Sequence, residues 1–136
     1  MEGSRVERVD SKEKAFASAR CAAELKAGDV VILDVSRLAS FADYFVICGG
    51  RSNRQVQGIA ERIEAELKDL GVKPIGVEGT REGHWILMDY GDVIVHVFYE
   101  ATRLFYDLES LWAEAPAVRF DQSASVSDAA LRSETK

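Results

Sequence analysis

Residues 85–98 read WILMDYGDVIVHVF. Two alternating apolar runs flank Tyr90-Gly91, which marks a hairpin turn between two strands, His84 to Asp89 and Asp92 to Phe98. With Tyr90 and Gly91 as a two-residue turn, Asp89 faces Asp92, Leu87 faces Ile94, and Trp85 faces His96 on one side of the sheet. On the other side Met88 faces Val93, Ile86 faces Val95, and His84 faces Val97. The second set is aliphatic and belongs against helices. The first set combines Trp85 and His96, a pair of aliphatics, and two carboxylates at the turn. An aromatic anchor beside aliphatics with a charged rim has the composition of an interface hot spot. Facing aspartates need a cation between them, and an Arg or Lys from a partner would supply it. Tyr fits a positive φ poorly, so a longer loop is the alternative, and it either keeps these faces or shifts them. In the competing reading, helices cover both faces and Trp85 is core.

Working outward, a helix is expected from Ser11 to Lys26. Asp10 with Glu13 forms its capping box, Gly28 suits its stop, and Phe16, Ala19, Ala23 and Leu25 line its apolar side. Val30 to Val35 and Tyr44 to Cys48 read as buried strands, the second ended by Gly49-Gly50. Ser52 and Gln55 form a second capping box. It opens a helix with Val56, Ile59, Ala60, Ile63, Leu67 and Leu70 on one face, closed by Gly71 and Pro74. Lys73 to Glu78 is a short strand. A last helix runs from Ala101 to Trp112, with Leu104, Phe105, Leu108, Leu111 and Trp112 as its stripe.

The order α-β-β-α-β-β-β-α predicts a single α/β (α+β) domain, a mixed sheet of about five strands flanked by helices. Its one parallel crossover, through the middle helix, is expected to be right-handed. Residues 1–10 read as a flexible arm and 11–115 as the domain. Residues 116–136, rich in Ser, Ala and Asp, read as a disordered tail that buries too little apolar surface to offset ordering.

The net charge of -6 disfavours nucleic acid or membrane adhesion through bulk charge and favours a basic protein partner. Cys21 and Cys48 sit in apolar segments outside any CxxC pair and read as buried reduced thiols. The N-terminus lacks the apolar core of a signal peptide, and no apolar run is long enough to span a membrane, so a cytoplasmic protein is expected.

Enzymatic signals are weak. Gly49-Gly50-Arg51-Ser52, between a strand and a helix, resembles the Gly-Ser opening of nucleotidyltransferases, but no pair of acids two apart on a strand follows to hold magnesium. Turn and cap chemistry accounts for these residues. His84 and His96 fall on opposite faces, which excludes a shared metal. Asp34 ends a strand, where an acid caps or is solvated. No nucleophile has a base and an orienter, and neither a metal nor a cofactor is expected.

Phe41 to Cys48, Ser52 to Gln55, Val77-Glu78-Gly79, Trp85 to His96, Arg103 to Glu109, and Leu111-Trp112 together resemble the Iojap family, the ribosomal silencing factors. The likeness covers about residues 12–113. It implies a nucleotidyltransferase-like fold without the catalytic carboxylates. It also implies binding to the large ribosomal subunit through ribosomal protein L-fourteen, which blocks joining of the small subunit and damps translation when nutrients are scarce. Family members can also form dimers. The family's contact surface carries over to Trp85, Leu87, Asp89 and the neighbouring hairpin, including Tyr90 and His96. The partner-binding set is therefore Trp85, Leu87, Asp89, Tyr90, Asp92, Ile94 and His96. A nucleotidyltransferase-like enzyme and a homodimeric interaction module are the alternatives.

Overall fold

A computed structural model describes residues 9–120. Its elements are α1 (Ser11–Glu24), β1 (Gly28–Asp34), β2 (Tyr44–Gly50), α2 (Asn53–Asp69), β3 (Gly76–Glu78), β4 (Trp85–Asp89), β5 (Val93–Tyr99), α3 (Glu100–Tyr106), α4 (Leu108–Leu111) and β6 (Ala117–Phe120). They form a mixed α/β fold around a six-stranded sheet in the order β3-β4-β5-β2-β1-β6.

The capping box at α1 is present: Glu13 N donates to Asp10 Oδ1 at 2.8 Å and Asp10 N to Glu13 Oε1 at 3.2 Å. The helix ends at Glu24, short of the expected Lys26, because Lys26 itself turns left-handed at φ 65°. Lys26 N then donates to Ala23 O and Ala27 N to Ala22 O, the paired bonds of a Schellman stop. At α2, Ser52 Oγ accepts from Gln55 N at 3.0 Å, but Gln55 Oε1 reaches back to Arg51 N at 2.7 Å, one residue before the expected partner. Gly71 N to Lys68 O and Val72 N to Leu67 O repeat the Schellman stop, as expected of Gly71.

β2 and β5 pair in parallel; all other neighbours are antiparallel. β3 therefore runs in the same direction as β2, and α2 is the parallel crossover. It spans two intervening strands, which β4 and β5 then fill. α1 and α2 cover one face. Ala15, Ala19 and Ala22 of α1, and Val56, Ile59, Ala60, Ile63 and Leu67 of α2, pack on Val46, Cys48, Ile86, Met88, Val93, Val95 and Val97. Each fully buried aliphatic there stabilises the fold by about 1.5–3 kcal/mol. Leu70 lies past the helix end and is exposed. Cys21 and Cys48 are buried free thiols, pushed up to about 11 and about 12 chiefly by burial.

Three expectations need correction. Gly49 and Gly50 do not end β2 but extend it, opposite Phe98 and Tyr99. A β-carbon on Gly50 would lie 2.9 Å from Val56 Cγ2, so the glycine lets α2 start close against the strand. The final helix is broken at Asp107, which is left-handed at φ 47°, ψ 52°. Finally, the chain does not leave the fold at Pro116. Asp34 N donates to Pro116 O at 2.8 Å, and Ala117–Phe120 then pairs with β1. Phe120 is buried, edge-on to Phe16 at 6.0 Å. The expected N-terminal arm up to residue 8, and residues 121–136 of the expected tail, lie outside the described residues. No helix among the described residues is long and apolar enough to cross a membrane.

Candidate partner-docking face

The hairpin turn is Gly91-Asp92, not Tyr90-Gly91. Tyr90 N donates to Val93 O at 2.9 Å, and Gly91 takes φ 87° as the first turn residue. A type II′ turn asks for a glycine there, and Tyr90 would have been strained in its place. The register is therefore displaced by two: Trp85 pairs with Phe98, Leu87 with His96, and Asp89 with Ile94. An even displacement preserves the faces. Trp85, Leu87, Asp89, Ile94 and His96 remain on one side of the sheet, away from α1 and α2.

The acidic tip dissolves. Asp89 is opposite Ile94, and its Oδ1 accepts from Gly91 N at 2.8 Å. Asp92 lies in the turn itself, and Lys14 of α1 reaches it at 2.9 Å. The cation expected from a partner is supplied from within the chain, so the two aspartates do not form a joint site. Tyr90 falls on the helix side of the sheet and is only 4% exposed. Burial there pushes its hydroxyl well above the usual tyrosine range. Tyr90 thus supports the core beneath the hairpin and does not belong to the face.

Trp85 is half-buried. Its indole Nε1–H donates to His96 Nδ1 at 3.2 Å. Its ring lies 4.8 Å from Phe98 and 5.0 Å from Tyr106. His96 continues the row, edge-on to Phe45 at 5.1 Å; Phe45 meets Trp112 at 5.1 Å, and Trp112 meets Phe41 at 6.3 Å. An aromatic row therefore crosses the sheet from β4 to the loop before β2. Its floor, Phe45, His96 and Phe98, is buried; Trp85, Leu87, Ile94 and Trp112 are half-buried; Phe41 and Tyr106 are exposed. Burial lowers His96 from 6.5 to about 4, so the imidazole is neutral near pH 7. Because Nδ1 accepts the indole proton, the ring's own proton sits on Nε2.

α3 and α4 flank this row, and Arg103 holds them there. Its Nε and Nη2 donate to Glu109 Oε2 at 2.9 and 2.7 Å, its Nη1 to Gly28 O at 3.0 Å, and its Nη2 also to Asp29 O at 2.8 Å. The expected apolar stripe is split by the break at Asp107. Leu108 and Trp112 turn inward, while Leu104 and Phe105 are 81% and 80% exposed. Phe41, Phe45 and the Arg103–Glu109 clamp lie outside the hairpin set that the sequence points to. Arg103 and Glu109 stand six apart, a spacing that signals no pairing on a continuous helix.

The glycine-serine segment behaves as a turn and cap. The Arg51 and Gln55 N–H groups are both engaged by side chains of the segment. Asp34 accepts from Ser36 N and Oγ and stabilises its own turn. His84 is exposed beside Tyr99, apart from the buried His96.

The sequence model of the family described as "Ribosomal silencing factor during starvation" matches residues 8–136. The chain belongs to the ribosomal silencing factor family. The ribosomal silencing factor of Bacillus subtilis is 42% identical over 106 residues, 78% of this chain and 89% of that protein. The chloroplastic protein Iojap of Zea mays is 34% identical over 107 residues, 76% of this chain and 45% of that protein. A crystal structure of a protein from Chromobacterium violaceum superposes with a TM-score of 0.75 at 37% identity, covering 77% of this chain and 88% of that one. The resemblance carried by the hairpin and the Arg103–Trp112 segment is thereby shown. Ribosomal silencing factors are named as regulatory proteins, which agrees with the expectation that this chain is not an enzyme.

Proposed function

We propose that the aromatic face around Trp85 docks on the large ribosomal subunit through ribosomal protein L-fourteen, and that the bound chain blocks joining of the small subunit and represses translation when nutrients are limiting. The observation that carries this reading is a half-buried Trp85 with Leu87 and Ile94 on the sheet face left incompletely covered. An anchor of this kind, seated on a buried aromatic floor, concentrates binding energy. Asp89 at its margin and the net charge of -6 suit a basic partner. The contact set is Trp85, Leu87, Asp89 and Ile94, with His96 beneath them. In this reading the chain works in the cytoplasm.

Sedimentation with isolated large subunits tests the proposal. The chain should co-sediment, and Trp85→Ala combined with Asp89→Lys should abolish both co-sedimentation and the block to subunit joining. A wild-type chain that stays at the top of the gradient, or a double variant that still blocks joining, would sink the proposal. A second reading, self-association, is favoured by the exposed Leu104, Phe105 and Leu111 beside the same face. Light scattering of the free chain and of Trp85→Ala separates the two readings.

A further inference from the structure

We infer that His96 is a positioning residue of this face, fixing the indole of Trp85 for the partner without touching the partner itself. The inference rests on the docking reading above for its biological meaning, but not for its geometry.

Three observations converge. His96 is 4% exposed, roofed by Trp85 and walled by Phe45 and Phe98, so an arriving surface meets the indole and not the imidazole. The hydrogen bond from Trp85 Nε1 to His96 Nδ1, 3.2 Å, is the polar contact that sets the rotation of the indole. Phe98 and Tyr106 hold the indole by ring contact, which tolerates sliding; a hydrogen bond is directional and does not. Finally, His96 Nε2 is buried and, among the described residues, has no hydrogen-bond partner. A buried unpartnered N–H costs stability, so a phenyl ring would serve the core better. The imidazole is retained at a site where packing alone disfavours it, and its other nitrogen is the acceptor that Trp85 uses.

Without that acceptor, the half-buried indole N–H would turn outward to water and carry the ring from its seat. Pre-organisation of an anchor side chain matters because ordering it on binding costs affinity.

Two substitutions separate positioning from packing. His96→Phe keeps the ring and removes the acceptor. His96→Asn loses packing but places an amide oxygen near the Nδ1 position. Nuclear magnetic resonance of the Trp85 indole proton, assigned with Trp85→Phe, reads the hydrogen bond. Co-sedimentation with large subunits reads docking, and thermal melting reads stability. In His96→Phe the indole proton should shift and exchange rapidly, docking should weaken about tenfold, and melting should stay at or above that of the wild type. In His96→Asn the indole signal should persist and docking should stay within about twofold, despite a lower melting temperature.

An indole resonance unmoved in His96→Phe would overturn the inference. So would unchanged docking of His96→Phe with its indole displaced, or docking that follows melting temperature across both variants. If the wild-type chain itself fails to bind large subunits, the docking reading falls, and the indole resonance alone still decides whether His96 fixes Trp85.

Discussion

His96 and Arg103 occupy comparable depths in the fold, yet their chemistry differs. His96 is buried neutral. Its pKa falls from 6.5 to about 4 through desolvation, so the unfolded chain binds a proton across that interval and the native chain does not. Stability supplied by the neutral ring is fully present above about pH 6.5 and is lost as pH falls towards 4. Over the whole window the loss reaches about 3 kcal/mol. Urea unfolding at pH 7, 5.5 and 4.5 should show this decline, and His96→Phe should flatten it. Arg103, by contrast, is buried charged and almost fully partnered. Arg103→Met leaves the Glu109 carboxylate, whose side chain is 24% exposed, without its cation, and frees the carbonyls of Gly28 and Asp29. A loss of about 2–4 kcal/mol is expected by chemical denaturation, and Glu109→Gln added to Arg103→Met should restore part of it.

At the scale of elements, the sheet ends in two different ways. β3 is a three-residue edge with little buried apolar surface. β6 is short as well, but it places Phe120 against Phe16 and covers the outer edge of β1. Phe120→Ala should cost about 2–4 kcal/mol in chemical denaturation. Truncation after Pro116 should cost at least as much, since it also strips the ladder bonds from β1. An unchanged midpoint in the truncated chain would mean that β6 contributes nothing. The left-handed break between α3 and α4 works at the same scale. Tyr106 ends α3 on Trp85, and the break then turns the chain so that Trp112, just past α4, packs on Phe45. Asp107→Gly should be close to neutral there, whereas Asp107→Val should cost about 1–2 kcal/mol, because β-branched residues resist that conformation.

Across the whole molecule, one sheet face is sealed by α1 and α2 and the other is only partly covered by α3, α4 and the loop carrying Phe41. On the docking reading, the partly covered face with its aromatic patch is the surface that meets the large subunit. Because the exposed groups are mainly rings and aliphatics, docking should depend weakly on salt. Raising ionic strength from about 0.1 to 0.5 M should reduce co-sedimentation with large subunits by less than about tenfold. A steeper fall would assign the interaction to charge instead. If free chain self-associates through this face, large subunits should compete the dimer apart. A dimer that binds them intact would place self-association elsewhere.

The sequence by itself determined the elements around α1, α2 and the hairpin, because caps, Schellman stops and period-two alternation are local. It also determined which hairpin residues share a face, since an error of two in register leaves side-chain parity intact. The motif residues were enough to suggest the family. Only the tertiary structure decided the rest. Tyr90 left the site because the turn moved to Gly91-Asp92, where glycine carries the positive φ. Asp92 gained a cation within the chain because Lys14, remote in sequence, lies beside the turn. Phe41, Phe45 and Trp112 joined it through contacts between elements, which no local pattern encodes. The same is true of β6, whose four residues become a strand only because β1 presents an unpaired edge. Trp85 was legible in the sequence as a candidate anchor; that it is half-buried and hydrogen-bonded to a fully buried histidine follows from the packing of the sheet alone.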